Sequence, residues 1–134
     1  MATGPHLATL IPIRKMSRAI EFYTKKLDAK VVVRGTGGME EYWASMTLAG
    51  ADVWFVSAGK QPARKLAYQT LVVPDIKKYV ATLQKRGVKF QKADPPSKES
   101  KVVGPIAFDT FGASAFFKDT EGNLLMVWQT SPRM

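Results

Sequence analysis

The sequence predicts an α+β fold in which two tandem βαβββ modules form an open, cleft-enclosing half-barrel of mixed β-sheet. Three observations carry this expectation. Apolar residues recur at helical spacing in two separate places, each preceded by a short apolar strand and followed by others. The two halves can be laid over one another, with Leu10-Ile11-Pro12-Ile13 over Thr70-Leu71-Val72-Val73 and, after one deletion, Leu27-Asp28-Ala29-Lys30 over Arg86-Gly87-Val88-Lys89. The chain closes on a turn, Asp119-Thr120-Glu121-Gly122-Asn123, flanked by two apolar runs. A chain of 134 residues is long enough for one domain with its own core, with modules at roughly 5–58 and 66–130.

The elements follow in order. His6 to Ile13 reads as a strand. Met16, Ala19, Ile20, Tyr23 and Leu27 share one helical face, with Glu21 and Lys25 in the favourable i, i+4 order on the polar side. Val31 to Val33 reads as a second strand ending at Gly35 to Gly38. Glu41 to Leu48 and Asp52 to Ser57 form a hairpin around Ala49-Gly50-Ala51, and Gly59 to Lys65 is a connector. In the second half Tyr68 to Val73 is a strand, and Asp75 caps a helix whose apolar face is Ile76, Tyr79, Val80 and Leu83. Gly87 ends that helix. A strand begins at Val88, Ala93 to Gly104 is a long loop, and Phe108 to Phe117 pairs with Leu124 to Gln129. One apolar helix face would cover one side of each sheet, leaving the other sides free to curl around a cleft.

Composition excludes several functions. With no cysteine, disulfides, thiol catalysis and cysteine-bound metal centres are absent, which fits a cytoplasmic protein. The N-terminal apolar run is too short for a membrane span, and its charges follow rather than precede it, unlike a secretion signal. The net charge of +9 is spread over helix-forming segments, and no basic run interleaves with aromatics. Nucleic acid and membrane are therefore not expected as partners, while a preference for anionic ligands is compatible with the charge.

Three segments resemble the vicinal oxygen chelate superfamily, the glyoxalase/bleomycin-resistance/extradiol-dioxygenase proteins. Residues 11–32, IPIRKMSRAIEFYTKKLDAKVV, are similar to that family's first strand and helix. Residues 71–90 are similar to the start of its second module, and 111–129, FGASAFFKDTEGNLLMVWQ, to its closing hairpin. Lys15 departs from the family's usual Asp at the first helix start. The resemblance implies four metal-ligand positions, two per module, which fall on Ala8, Trp54, Tyr68 and Met126. Ala has no donor atom, an indole N–H cannot ligate, and a thioether is too soft for the family's usual divalent metals. Tyr68 alone builds no site, and the single histidine, His6, has no carboxylate partner in view. Neither metal nor other cofactor is expected, which disfavours metal-dependent glyoxalase or dioxygenase chemistry.

Strand alternation then places Trp54 and Val56, Tyr68 and Thr70, and Met126 and Trp128 toward the cleft. If Leu48 pairs with Val53, Glu41, Trp43, Ser45 and Thr47 join them, with Ser114 and Phe116 from the last hairpin. The expected ligand-contacting residues are Trp43, Trp54, Tyr68, Phe116, Met126 and Trp128, an apolar and aromatic lining of the kind small-molecule sites have. The same residues would also fill a collapsed core. The ligand-cavity reading is preferred because Glu41 is hard to place in a sealed interior. The expected function is metal-independent binding of a small, aromatic compound. The alternatives are a metal-free isomerase, lyase or hydrolase using Glu41 or His6, and a metalloenzyme with displaced ligands. For Glu41 itself, a solvated place at the hairpin's start is preferred over a catalytic role. The resemblance also implies a homodimer. Relatives that trap cationic bleomycin are acidic, so that drug does not suit this basic chain.

Overall fold

Alternation along the strands decides which side of each sheet is dry. The computed structural model describes residues 8–57, 69–95 and 98–131. The chain divides into two compact units, Met1–Ala63 and Arg64–Met134. His6 and Tyr68 lie outside the described residues.

The first unit runs β1 (Ala8–Ile13), α1 (Met16–Leu27), β2 (Lys30–Arg34), β3 (Trp43–Leu48) and β4 (Ala51–Ser57). Its sheet has the order β1-β4-β3-β2, with β1 parallel to β4 and the other pairs antiparallel. Helix α1 buries Met16, Ala19, Ile20, Tyr23 and Leu27, the residues its periodicity singles out. The sheet face that meets it carries Ile11, Ile13, Ala44, Met46, Leu48, Val53 and Phe55, all buried. The rings of Tyr23 and Phe55 meet edge to face, 4.8 Å between centroids. The helix ends where Asp28 turns left-handed at φ 59° and the Ala29 N–H donates back to the Tyr23 carbonyl.

Two details differ from the sequence expectation. Leu48 pairs with Ala51, not Val53, because the hairpin turns on two residues, Ala49 and Gly50. Both have positive φ, 51° and 81°, the pattern of a primed turn whose twist suits a hairpin. The shift is an even number of residues, so the faces of β3 are as expected. Strand β3 starts at Trp43, and Glu41 is exposed in the turn before it rather than on the sheet face. That turn closes on itself through Tyr42 N–H to Met39 O, 3.0 Å, which takes Glu41 out of the ladder.

The second unit runs β5 (Gln69–Val72), α2 (Ile76–Lys85), β6 (Lys101–Val103), β7 (Ile106–Phe108), β8 (Gly112–Lys118) and β9 (Leu124–Thr130). Its sheet order is β5-β9-β8-β7-β6, with β5 parallel to β9. Helix α2 buries Ile76, Val80 and Leu83, while Tyr79 is only half-buried. Leu71, Ala113, Ala115, Phe117, Leu125 and Val127 are also buried, on the sheet face turned to the helix.

Here the middle strands differ from expectation. Val88 to Phe90 forms no strand beyond one bridge, Phe90 to Phe117. The place beside β8 is shared: Ala107 and Phe108 pair with Ser114 and Ala113, and the Gln91 N–H reaches the Phe116 carbonyl further along. The expected loop from Ala93 to Gly104 contains β6, which turns through Gly104-Pro105 into β7. The expected strand from Phe108 to Phe117 breaks at Asp109, whose Oδ1 accepts the N–H groups of Phe111 and Gly112.

The two helix starts form a natural comparison. Asp75 caps α2, its Oδ1 accepting the Lys78 N–H at 3.1 Å, whereas Lys15 provides α1 with no side-chain cap. Asp75→Ala is expected to lower unfolding free energy by about 1 kcal/mol, and Lys15→Asp to raise it by a similar amount. Urea unfolding followed by far-UV circular dichroism checks both signs.

Candidate functional site

Each sheet has one face covered by its helix and one face without a helix, and the latter carries the sequence-expected residues. In the first unit the register gives three rows across this open face. Pro12, Val56 and Trp43 form one; Leu10, Trp54, Ser45 and Val33 the next; Ala8, Asp52, Thr47 and Lys30 the third. In the middle row three apolar side chains are strongly exposed, Leu10 at 48%, Trp54 at 47% and Val33 at 46%, with the half-buried Ser45 between Trp54 and Val33. The row's immediate chain neighbours Ile11, Val53 and Phe55 are buried on the other face. Exposing an indole amid other apolar side chains is unfavourable in water, and such patches mark interaction surfaces more often than scattered single residues do.

In the second unit Val72, Trp128 and Ser114 form one row, and Thr70, Met126 and Phe116 the next. Trp128, Met126, Phe116 and Ser114 are half-buried. Gly112 and Thr130 pair in the row beyond Trp128. A side chain at Gly112 would stand 2.5 Å from Trp128 Cζ2 and 2.9 Å from Cη2, so the benzo half of the indole occupies the space a Cβ would need. The Trp128 Nε1–H donates to Thr130 Oγ1 at 2.9 Å.

Strand β9 is held at both ends. In the closing turn Asp119 Oδ1 accepts the N–H groups of Glu121 and Asn123, each at 2.8 Å, and its Oδ2 accepts the Asn123 Nδ2–H at 3.0 Å. Gly122, at φ 84°, lets the chain reverse, and the Asp119 N–H donates to the Asn123 carbonyl. At the other end Gln129 Oε1 accepts the first helical N–H of α2, from Ile76, at 2.8 Å.

The four implied ligand positions can be tested on the donor atoms. Ala8 and Trp54 stand on the open face of the first sheet and Met126 on that of the second, and none offers a donor suited to a hard divalent ion. Tyr68 lies outside the described residues. Among the described residues no group of three His, Cys, Asp or Glu side chains is placed to hold a metal ion. At the three described positions the residues do not fit the family's usual metal. Sequence reasoning missed Asp52, which alternation from Trp54 places on the open face, and Gly112 and Thr130, whose role depends on pairing across the last hairpin.

Glu41 is exposed and off the open face. Its neighbour Glu40 is the carboxylate the turn engages. Hydrogen bonds from its own N–H and from that of Gly38 hold it below the usual carboxylate range, with Arg34 adding to the effect. A separate concavity of about 400 Å³ in the second unit is lined by Glu99, Lys101, Phe108, Asp109 and Thr110. The Lys77 ammonium stands 5.5 Å from the Phe108 ring centroid. Charges of both signs line this hollow, and Asp109 Oδ1 is already engaged by two backbone N–H groups, so it selects no ligand class.

The family model of the Glyoxalase/Bleomycin resistance protein/Dioxygenase superfamily matches residues 5–127. The chain belongs to this superfamily. No curated protein matches it by sequence. Among solved structures it is similar to TnmS3 of Streptomyces sp. CB03234, described as an antibiotic binding protein, with 22% identity and a TM-score of 0.66 over 98% of this chain and 100% of that one. FosX of Listeria monocytogenes, a fosfomycin resistance protein, has 12% identity and a TM-score of 0.70 over 99% of this chain and 95% of that one. TioX of Micromonospora sp. ML1 has 14% identity and a TM-score of 0.65, covering 96% and 100%. At these identities the likeness concerns the fold. Among the described residues no helix is long and apolar enough to cross a membrane.

The Asp119 carboxylate is the organising group of the turn before β9. Asp119→Ala removes the acceptor of three hydrogen bonds in a buried turn and is expected to lower unfolding free energy by about 3 kcal/mol. Chemical denaturation checks this, with Asp119→Asn expected to lose less because one acceptor oxygen remains.

Proposed function

We propose that this superfamily member binds a small, flat, aromatic compound on the open face of a sheet, without a metal ion. The observation that carries the reading is Trp54. It stands 47% exposed beside Leu10, while its chain neighbours Val53 and Phe55 are buried on the helix-covered face. A side chain serving only the core would be expected on the packed side. The misfit of Ala8, Trp54 and Met126 to a divalent metal supports binding without one. TnmS3, described as an antibiotic binding protein on the same fold, supports the ligand-binding reading by analogy. The proposal includes a homodimer and a cytoplasmic location. The enzymatic alternative names Glu41 or His6; Glu41 stands off the open face and His6 lies outside the described residues, so binding is the preferred reading.

Titration of a panel of planar aromatic compounds against the intrinsic indole fluorescence tests this. Saturable quenching that survives prior treatment with a chelator is expected, and Trp54→Ala should weaken the best binder about tenfold. Absence of saturable quenching across the panel would remove the binding function. Stoichiometric divalent metal in the native protein, with binding lost on chelation, would remove its metal independence.

A further inference from the structure

We propose that Trp128 is a fixed stacking plate that selects planar over puckered ligands, and that Gly112 and Thr130 are the residues that position it. This rests on the ligand-binding reading above and adds what kind of contact one named residue makes.

Three facts converge on the ring. Its benzo half lies in the space left by the missing side chain of Gly112, where a methyl carbon would stand 2.5 Å from Cζ2. Gly112 is the diagonal neighbour of Trp128 across the β8–β9 pair, on the same sheet face, so the indole is laid across the strands. Its one polar atom is taken: Nε1–H donates to Thr130 Oγ1 at 2.9 Å. The Gly112 hollow and the solvent-exposed bond to Thr130 together favour one orientation of the indole. With its N–H engaged it has no donor to offer a ligand, so its contribution is the π face. A π face favours flat rings, which it can cover completely, over saturated rings of equal size, which touch it at a few hydrogens.

A Trp laid over a cross-strand Gly also stabilises a sheet, and that role alone would explain the pair. The two roles separate in what they move. A purely structural pair changes stability and leaves the ratio of planar to saturated affinity untouched. A stacking plate changes that ratio.

The test uses 2-naphthoate and decalin-2-carboxylate, equal in charge and ring count, one flat and one puckered, both anionic to suit the basic chain. The native protein is expected to bind the naphthoate about fivefold more tightly than its saturated analogue. Trp128→Leu, which keeps apolar bulk and removes the π face, should lower the ratio well below that of the native protein. Thr130→Val should lower the ratio about twofold and weaken the Trp128 near-UV circular dichroism signal in the ligand-free protein, while Thr130→Ser keeps both. Trp43→Phe and Trp54→Phe in the background of each protein leave Trp128 as the single indole for that signal. Gly112→Ala should displace the ring and lower the ratio; since the added carbon also meets the Gln129 carbonyl oxygen, the Thr130 and Trp128 variants serve if it does not fold. A ratio unchanged in Trp128→Leu, or a ratio and dichroism unchanged in Thr130→Val, overturns the proposal while leaving the binding reading intact. Saturable binding of neither probe by the native protein counts against the binding reading itself and takes the stacking plate with it, whatever the dichroism shows.

Discussion

Trp54 and Phe55 are adjacent in the chain and point to opposite sides of one sheet. That two-residue alternation is the constraint on which the rest depends. On one side Phe55 meets Tyr23 of α1 and is fully buried. On the other Trp54 is nearly half exposed beside Leu10. Helix α1 buries Ile11, Ala44, Met46, Val53 and Phe55 on one face. Whatever the sequence places at alternate positions is therefore presented to solvent or to a ligand. The second unit repeats the division, with Val127 buried under α2 and Met126 and Trp128 on the opposite face.

Precision on the open face comes from polar groups at its borders. Asp119 ties the turn before β9 through three hydrogen bonds, and Gln129 near its end caps the first turn of α2. Between them Met126 and Trp128 sit on a strand whose register cannot slip without breaking one or the other. A one-residue slip would also turn every side chain of β9 to the wrong face. The family resemblance implies a carboxylate at the position of Met126, where this chain carries a thioether on the open face.

Much of this was legible in the chain. The helix α1 face was legible residue by residue, because five apolar positions at helical spacing leave no other arrangement. The open-face placement of Trp54, Met126 and Trp128 followed from alternation, and that of Trp43 from an assumed hairpin register that was off by an even number of residues and so kept its face. The first hairpin's register was not legible, because Ala49 adopts a positive φ that alanine rarely takes and so gives no turn signal. Glu41 was misplaced for a related reason: the turn that removes it from β3 is held by backbone bonds, not by a recognisable residue pattern. In the second unit the prolines and charges after Ala93 masked the short pair β6 and β7, whose apolar runs, Val102-Val103 and Ile106 to Phe108, are only two or three residues long. The Gly112–Trp128 contact needs the register of β8 against β9, which no single segment reveals. His6 and Tyr68 stay outside the described residues, and their expected roles remain expectations.

The central claim is that the two sheet faces serve different ends, one stability and the other recognition. Unfolding free energies of Trp54→Ala and Phe55→Ala test it most directly, with no ligand required. Phe55→Ala is predicted to lose about 3–5 kcal/mol as a core truncation, and Trp54→Ala no more than about 1 kcal/mol despite removing the larger ring. Losses of equal size would place Trp54 in the structural core and contradict the account.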